Sequence, residues 1–213
     1  MNLNNYFYCF PSAIPSKLCD EITQHGLSFG EQIATTAKQG VNRDVVNNPL
    51  NNKEIEDLKQ IRDSNVVWLN EPWIYKEIHP FIHLANKKAG WNFEWDWSEN
   101  CQFTKYKLNQ YYDWHCDSNY FTYQDNKNQN TYGKIRKLSL TCQLTDGNEY
   151  EGGELEFDTR SYDPREKKII SCKDILPKGS IVVFPSFVWH RVKPVTKGIR
   201  HSLVMWNLGY PFK

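Results

Sequence analysis

The clearest rhythm lies in the second half of the chain. Gln102-Phe103-Thr104-Lys105-Tyr106 and Leu138-Ser139-Leu140-Thr141-Cys142-Gln143-Leu144 alternate apolar with polar positions, the period of a strand with one face in a core. Asn92-Phe93-Glu94-Trp95-Asp96-Trp97 alternates in the same way, and short strands also fit residues 154–157, 180–184 and 202–207. Gly152-Gly153, Pro177–Gly179 and Lys197-Gly198 divide these runs as turns. The first ninety residues keep a different period. Leu18, Cys19, Ile22 and Leu27 share a helical face after Pro15-Ser16, with Gly26 placed as a C-cap. Ile55, Leu58 and Ile61 repeat at helical spacing over 53–63, with charges on the other face. A third helix is expected over 72–89, kinked or restarted at Pro80, after a short strand at Val66–Leu69.

Many short strands with regular turns predict a mostly β chain, a sandwich or jelly roll with N-terminal helices packed on one sheet. Neither a repeat nor a linker interrupts it, so one domain is expected over 1–213, with 1–90 as helical support and 91–213 as the core. Residues 118–134, rich in Asn, Gln and Thr, are the candidate mobile loop. The run Arg165-Glu166-Lys167-Lys168 reads as an exposed connection.

Composition narrows the function. Lys and Arg total 26 against 25 Asp and Glu, a formal charge of +1, so no basic surplus marks a nucleic-acid partner. No apolar run approaches the length of a membrane span. The opening MNLNNYFYCF has no basic stretch followed by an apolar one, so a cytoplasmic location is expected. The six cysteines include no C-x-x-C spacing, and they read as small buried hydrophobes rather than a disulfide framework. Trp91, Trp95 and Trp97 read as wedges between helices and sheet.

The chemistry concentrates at Trp114-His115-Cys116-Asp117. At strand spacing His115 and Asp117 share a face, with Cys116 turned away, and an imidazole plus a carboxylate is two-thirds of the two-His-one-carboxylate site for Fe(II). His79 and His83 stand i, i+4 without a third ligand nearby, and His25 suits a helix C-terminus. Of the remaining His190 and His201, His190 ends an apolar strand ten residues before Arg200. A hairpin of that length brings an inward Arg within about one strand of an inward His. Iron of this type draws two electrons from a co-reductant such as 2-oxoglutarate, whose far carboxylate suits the planar fork of an arginine.

His115-x-Asp117, then His190, then Arg200 with Ser202 and Trp206, resembles the Fe(II)/2-oxoglutarate-dependent dioxygenases, in particular the prolyl 4-hydroxylase-like branch. Tyr106, Tyr112, Arg136–Ser139, the strand Gly152–Phe157 and the run Lys178–Ser186 extend the likeness over residues 101–208, with a looser P-S-x-x-C-x-x-I opening at Pro15–Ile22. The resemblance implies that His115, Asp117 and His190 hold Fe(II), with no catalytic residue beyond these ligands. It implies that Arg200, Tyr106, Leu155 and Trp206 bind 2-oxoglutarate, and that Tyr112 and Arg136 touch a peptide or protein substrate containing proline. O₂ is the other co-substrate, and ascorbate an accessory reductant. Collagen-type relatives usually carry Lys where this chain has Arg200, so collagen specificity is not implied. The other readings are the same oxidation of a non-prolyl or small-molecule substrate, and a jelly-roll binding module without catalysis.

Overall fold

The computed structural model describes residues 3, 5–36, 48–118, 121–159 and 168–212; residues 165–167 of the basic run and 119–120 of the Asn-rich loop lie outside them. In chain order these form β1 (Tyr8–Phe10), α1 (Ser16–Leu27), β2 (Gln32–Ile33), α2 (Asn52–Lys59), β3 (Arg62–Asp63), β4 (Asn65–Leu69) and α3 (Pro72–Lys88). Next come β5 (Trp97–Ser98), β6 (Cys101–Tyr106), β7 (Tyr111–His115), β8 (Ile135–Gln143), β9 (Glu151–Gly152) and β10 (Leu155–Asp158). The last are β11 (Ile169–Ser171), a 3-10 turn (Lys173–Ile175), β12 (Ile181–Pro185), β13 (Trp189–Val192), β14 (Val195–Lys197) and β15 (Arg200–Gly209).

Two antiparallel sheets face each other. The larger has eight strands, in the order β1-β12-β8-β15-β6-β4-β2 with β5 also on β15. The smaller runs β11-β10-β13-β7-β3, and β14 with β9 makes a separate pair. Strand alternation divides the core in two. From β15, Leu203 and Met205 point outward to join Cys19, Ile22, Ile74, Ile78 and Ile82 of α1 and α3. From β12, Val182 and Phe184 point inward to meet Leu155, Phe157 and Val192 of the smaller sheet. This is the expected jelly roll with helices on one sheet.

The local reasons are visible. At α2, Asn51 accepts from the Glu54 amide and the Glu54 carboxylate accepts from the Asn51 amide, both at 2.9 Å, which closes the first turn. Helix α3 starts with Pro72, whose missing N–H costs nothing there. It continues unbroken through Pro80, against expectation. Ile74, Ile78, Ile82 and Ala85 form one buried stripe, while Pro80 and Lys76 are exposed, so the carbonyl left without a partner faces water.

Three other expectations change. Gly26 does not cap α1; it is buried inside the helix because the Phe103 ring lies against it. Residues 92–96 do not form a strand, which is confined to Trp97–Ser98. Asn86 instead donates to the Phe93 carbonyl and accepts from the Phe93 amide, both at 2.9 Å, and takes the place of a strand partner. Of the tryptophans, Trp91 is in the core and Trp95 stacks on His83, but Trp97 is 41% exposed. His79 bonds the Ser98 hydroxyl at 3.0 Å, so both helix histidines have structural roles.

Two consequences are measurable. A β-carbon at position 26 would stand 2.6 Å from the Phe103 ring, so Gly26→Ala is expected to destabilise by about 1–2 kcal/mol despite the better helix propensity of alanine, read as a lower urea midpoint. His201 stacks on Phe103, and burial, reinforced by Lys105, pushes its imidazole down to about 4. The unfolded chain accepts that proton near 6.5 while the folded one resists it, so stability is expected to fall as pH drops from about 6.5 toward 4. Urea midpoints at pH 7 and pH 5 should differ less in His201→Gln than in the parent.

Candidate active site

The inner faces of the two sheets border an open cavity. The smaller sheet supplies one wall. His190 and His115 are opposite each other on β13 and β7. Two residues on, Val192 pairs with Tyr112, so β7 carries one extra residue between these pairs, a β-bulge. Simple alternation would turn Tyr112 and His115 to opposite faces. The bulge turns both inward, where their rings stack at 3.5 Å.

Each imidazole is oriented by its own backbone. His115 Nδ1 lies 2.8 Å from the Asp113 carbonyl and His190 Nδ1 lies 2.9 Å from the Val188 carbonyl. A carbonyl only accepts, so Nδ1 carries the proton and Nε2 is left as the free lone pair. Asp117 lies just past the end of β7, tied by its amide to the Ser186 carbonyl at 2.8 Å. Its oxygens reach 3.8 Å from His115 Nε2 and 3.6 Å from His190 Nε2. The three donor atoms lie within 4.8 Å of one another, the one such group among the described residues.

The electrostatics suit a cation. Burial pushes His115 well below its ordinary range, and His190 acts in the same direction, so the ring is a neutral donor at neutral pH. For Asp117, burial favours the acid form. His190, His115 and Arg136, with a hydrogen bond from Ser139, outweigh it and hold the carboxyl below its usual value. Two imidazoles and one carboxylate on one wall of an open cavity match the donor set of a facial Fe(II) site. Cys116 is outside this group and donates its thiol to the Ser118 carbonyl.

The larger sheet supplies the facing wall. Arg200, Ser202, Val204 and Trp206 project inward from β15, with Tyr106 opposite Arg200 on β6. Arg200 is 1% exposed, its guanidinium is 5.6 Å from the Tyr106 ring centre, and Nη2 has no hydrogen-bond partner. Gly153 makes room for it, since a β-carbon there would come within 3.1 Å of Arg200 Cδ. A buried cation with an unmet donor needs an anion, and a ligand carboxylate reaching this end of the cavity would supply it. The expected hairpin between His190 and Arg200 does not exist. The chain passes through β14 into the other sheet, so the two residues face each other across the sandwich.

Leu155 and Trp206 line the same cavity as His115, Asp117 and His190. Burial pushes Tyr112 up to about 12 and also raises Tyr106, so both hydroxyls stay protonated. Arg136 is held rather than free. It grips Glu99 through Nε and Nη2 at 3.1 and 2.5 Å and lies 3.9 Å over the Trp206 ring, while Glu99 also accepts from the Tyr123 hydroxyl at 2.5 Å. Arg62 escaped the sequence reading, which put it on the charged face of a helix. It lines the cavity at 5% exposure, bonds the Ser64 hydroxyl and the Thr35 carbonyl, and lies 4.5 Å from the Tyr112 ring centre. No periodicity could have revealed it, because the chain leaves the smaller sheet for the larger one at Ser64.

Comparisons with known proteins agree with this geometry. The family model described as the 2OG-Fe(II) oxygenase superfamily matches residues 101–207, half of the chain. A PKHD-type hydroxylase of Synechococcus sp. strain CC9605 is 40% identical over 75 residues, covering 35% of this chain and 31% of that protein. The match thus spans about a third of that relative's length. Among solved structures, the viral collagen prolyl hydroxylase of Paramecium bursaria Chlorella virus-1, in its 2OG complex, superposes with a TM-score of 0.61 at 18% identity over 97% of each chain. A Trichoplax adhaerens prolyl hydroxylase, bound to a hypoxia inducible factor oxygen degradation domain peptide fragment, gives 0.60 at 17% identity over 96% of this chain and 84% of that one. At these identities the likeness is one of fold.

A metal titration tests the donor set directly. Mn(II), or Fe(II) without oxygen, at about 100 times its dissociation constant is expected to raise the thermal midpoint by roughly 5–10 °C. Asp117→Ala should remove the shift. A full shift in that variant would show that the metal binds elsewhere.

Proposed function

The chain belongs to the 2OG-Fe(II) oxygenase superfamily, and we propose that it is an Fe(II)- and 2-oxoglutarate-dependent dioxygenase that hydroxylates prolyl residues of a peptide or protein. The observation that carries this reading is one cavity with the His115, Asp117 and His190 donors on one wall and the unpartnered Arg200 guanidinium on the other. When bound, Fe(II) with 2-oxoglutarate supplies a two-electron activation of O₂, coupled to decarboxylation of 2-oxoglutarate to succinate and CO₂.

The residues divide the remaining work. His115 and His190 present fixed Nε2 lone pairs, and Asp117 presents an anion already ionised in the folded state. Arg200 takes the far carboxylate of 2-oxoglutarate through its planar fork, and the protonated Tyr106 hydroxyl beside it is a neutral donor to the same molecule. Leu155 closes the apolar side of that subsite. Trp206, clamped by Arg136, forms the wall next to the metal donors and keeps water from the oxidising centre. Tyr112, stacked on His115, offers an aromatic face to a proline ring where substrate enters. Arg136 acts on the substrate through Trp206, because Glu99 already holds its guanidinium.

The prolyl assignment draws support from the likeness in residues 101–208 and from the two neighbours, which are named as prolyl hydroxylases. It is the finer part of the proposal and has its own readout. Purified protein with Fe(II), 2-oxoglutarate and ascorbate is expected to release succinate, faster when a proline-containing peptide from a panel is present, and to add about 16 Da to that peptide. His115→Ala should lower turnover by at least about 100-fold. Arg200→Ala should raise the 2-oxoglutarate KM far more than it lowers kcat at saturation. Steady succinate release that no proline peptide accelerates would keep the dioxygenase and overturn the prolyl substrate. Failure of the iron-loaded protein to consume 2-oxoglutarate with any substrate would overturn both.

A further inference from the structure

We infer that Cys9 and Cys172 form a redox modification site, a dithiol that a peroxide or a small-molecule disulfide converts to an intrachain disulfide joining the two sheets. The six cysteines are all free, yet Cys9 Sγ and Cys172 Sγ lie 3.4 Å apart although 163 residues separate them in the chain. Cys9 is the middle residue of β1, the edge strand of the larger sheet, where it pairs with Val182. Cys172 follows β11 at the edge of the smaller sheet, and its amide donates to the Leu155 carbonyl at 2.8 Å. The thiols therefore meet where the two layers close, behind the Leu155 wall of the cavity.

Exposure sets this pair apart. Cys9 is partly accessible, while Cys172 is 4% exposed. The two thiols share a hydrogen bond in which either sulfur can donate, and that bond, with the Ile175 amide and the Arg200 charge, lowers the Cys172 thiol against the opposing pull of burial and Asp174. Cys19 on the buried face of α1 and Cys142 of β8, the other neighbouring pair, are 0% exposed and serve as an internal control. With peroxide, two S–H bonds and the O–O bond break and one S–S bond forms. The thiols lose two electrons and two protons, and the peroxide leaves as two waters. With a small disulfide, the same electrons and protons leave on two thiol molecules.

The test needs no catalytic activity, so its outcome is independent of the proposed reaction. The full chain is treated with hydrogen peroxide or oxidised glutathione, alkylated under denaturing conditions and mapped by mass spectrometry. The expected product is a single cross-link between the peptides holding Cys9 and Cys172, 2 Da lighter than the dithiol and reversed by dithiothreitol, with Cys19 and Cys142 still free. Cys9→Ser and Cys172→Ser should each abolish it, with circular dichroism showing that both variants fold. Closing so long a loop should also raise the thermal midpoint by up to about 10 °C. Six free thiols after excess oxidant, sulfinic acid at Cys9 without a cross-link, or a cross-link to any other cysteine would overturn the assignment.

Discussion

Arg200 carries a permanent charge into the space between two sheets, 1% exposed, with one guanidinium nitrogen lacking a partner. Burying an ion without a counter-ion is among the most unfavourable placements a fold can make, and a hydrophobe of similar volume would pack there at less cost. The surrounding structure accommodates it. Gly153, in a left-handed conformation at φ 63°, leaves the side chain room, and Tyr106 sets its ring beside the guanidinium. On the proposed reading, the fold gives up stability to hold a donor ready for an anion from outside the chain, the usual conflict between a site and its scaffold.

The same strand that carries Arg200 shows how the scaffold bears that cost. On β15 the residues facing the helices, Leu203 and Met205, are fully buried and apolar, while those facing the cavity are Arg200, Ser202, Val204 and Trp206. One period of two therefore serves two purposes. The outer layer, built with α1 and α3, supplies the hydrophobic stabilisation that the polar inner face cannot. The inner face in turn is positioned by hydrogen-bonded neighbours on both sides, β6 and β8, which fix its spacing.

What could be read from the sequence follows the same division. Alternation revealed β6, β8 and β15, a continuous apolar run revealed β12, and helical spacing revealed the three helices, because in each case burial imposed the pattern. The donor set was legible from His115-x-Asp117 at strand spacing taken with the family resemblance, and Arg200 from its place ten residues after His190 at the opening of an alternating strand. Three things were not legible. Residues 92–96 alternate without forming a strand: the Asn86 side chain takes both backbone groups of Phe93, and the Asp96 amide makes a single bond to the Leu208 carbonyl of β15. The bulge on β7 changes which side chains point inward, and nothing in Tyr111–His115 announces an extra residue. The crossing from His190 to Arg200 depends on which sheet each strand joins, a long-range choice that a hairpin length does not encode.

Counting charge around the cavity adds a constraint that motif reading alone does not supply. Arg62, Arg136 and Arg200 are buried or nearly so, and among the described residues only Arg136 of the three has a carboxylate in direct contact, from Glu99. Arg62 relies on a hydroxyl, a carbonyl and the Tyr112 ring, and Asp117 faces the two histidines instead. Three guanidiniums against two carboxylates leave a positive surplus in a low-dielectric space, and a divalent metal at Asp117 would enlarge it. On the proposed reading, a dianion entering the cavity would offset most of that charge, spanning from the metal donors to Arg200. A short dicarboxylate with a chelating end meets both demands, whereas a neutral ligand of the same size would leave the surplus uncompensated. On that reading the charge of the pocket and the metal donors together favour the same class of co-substrate.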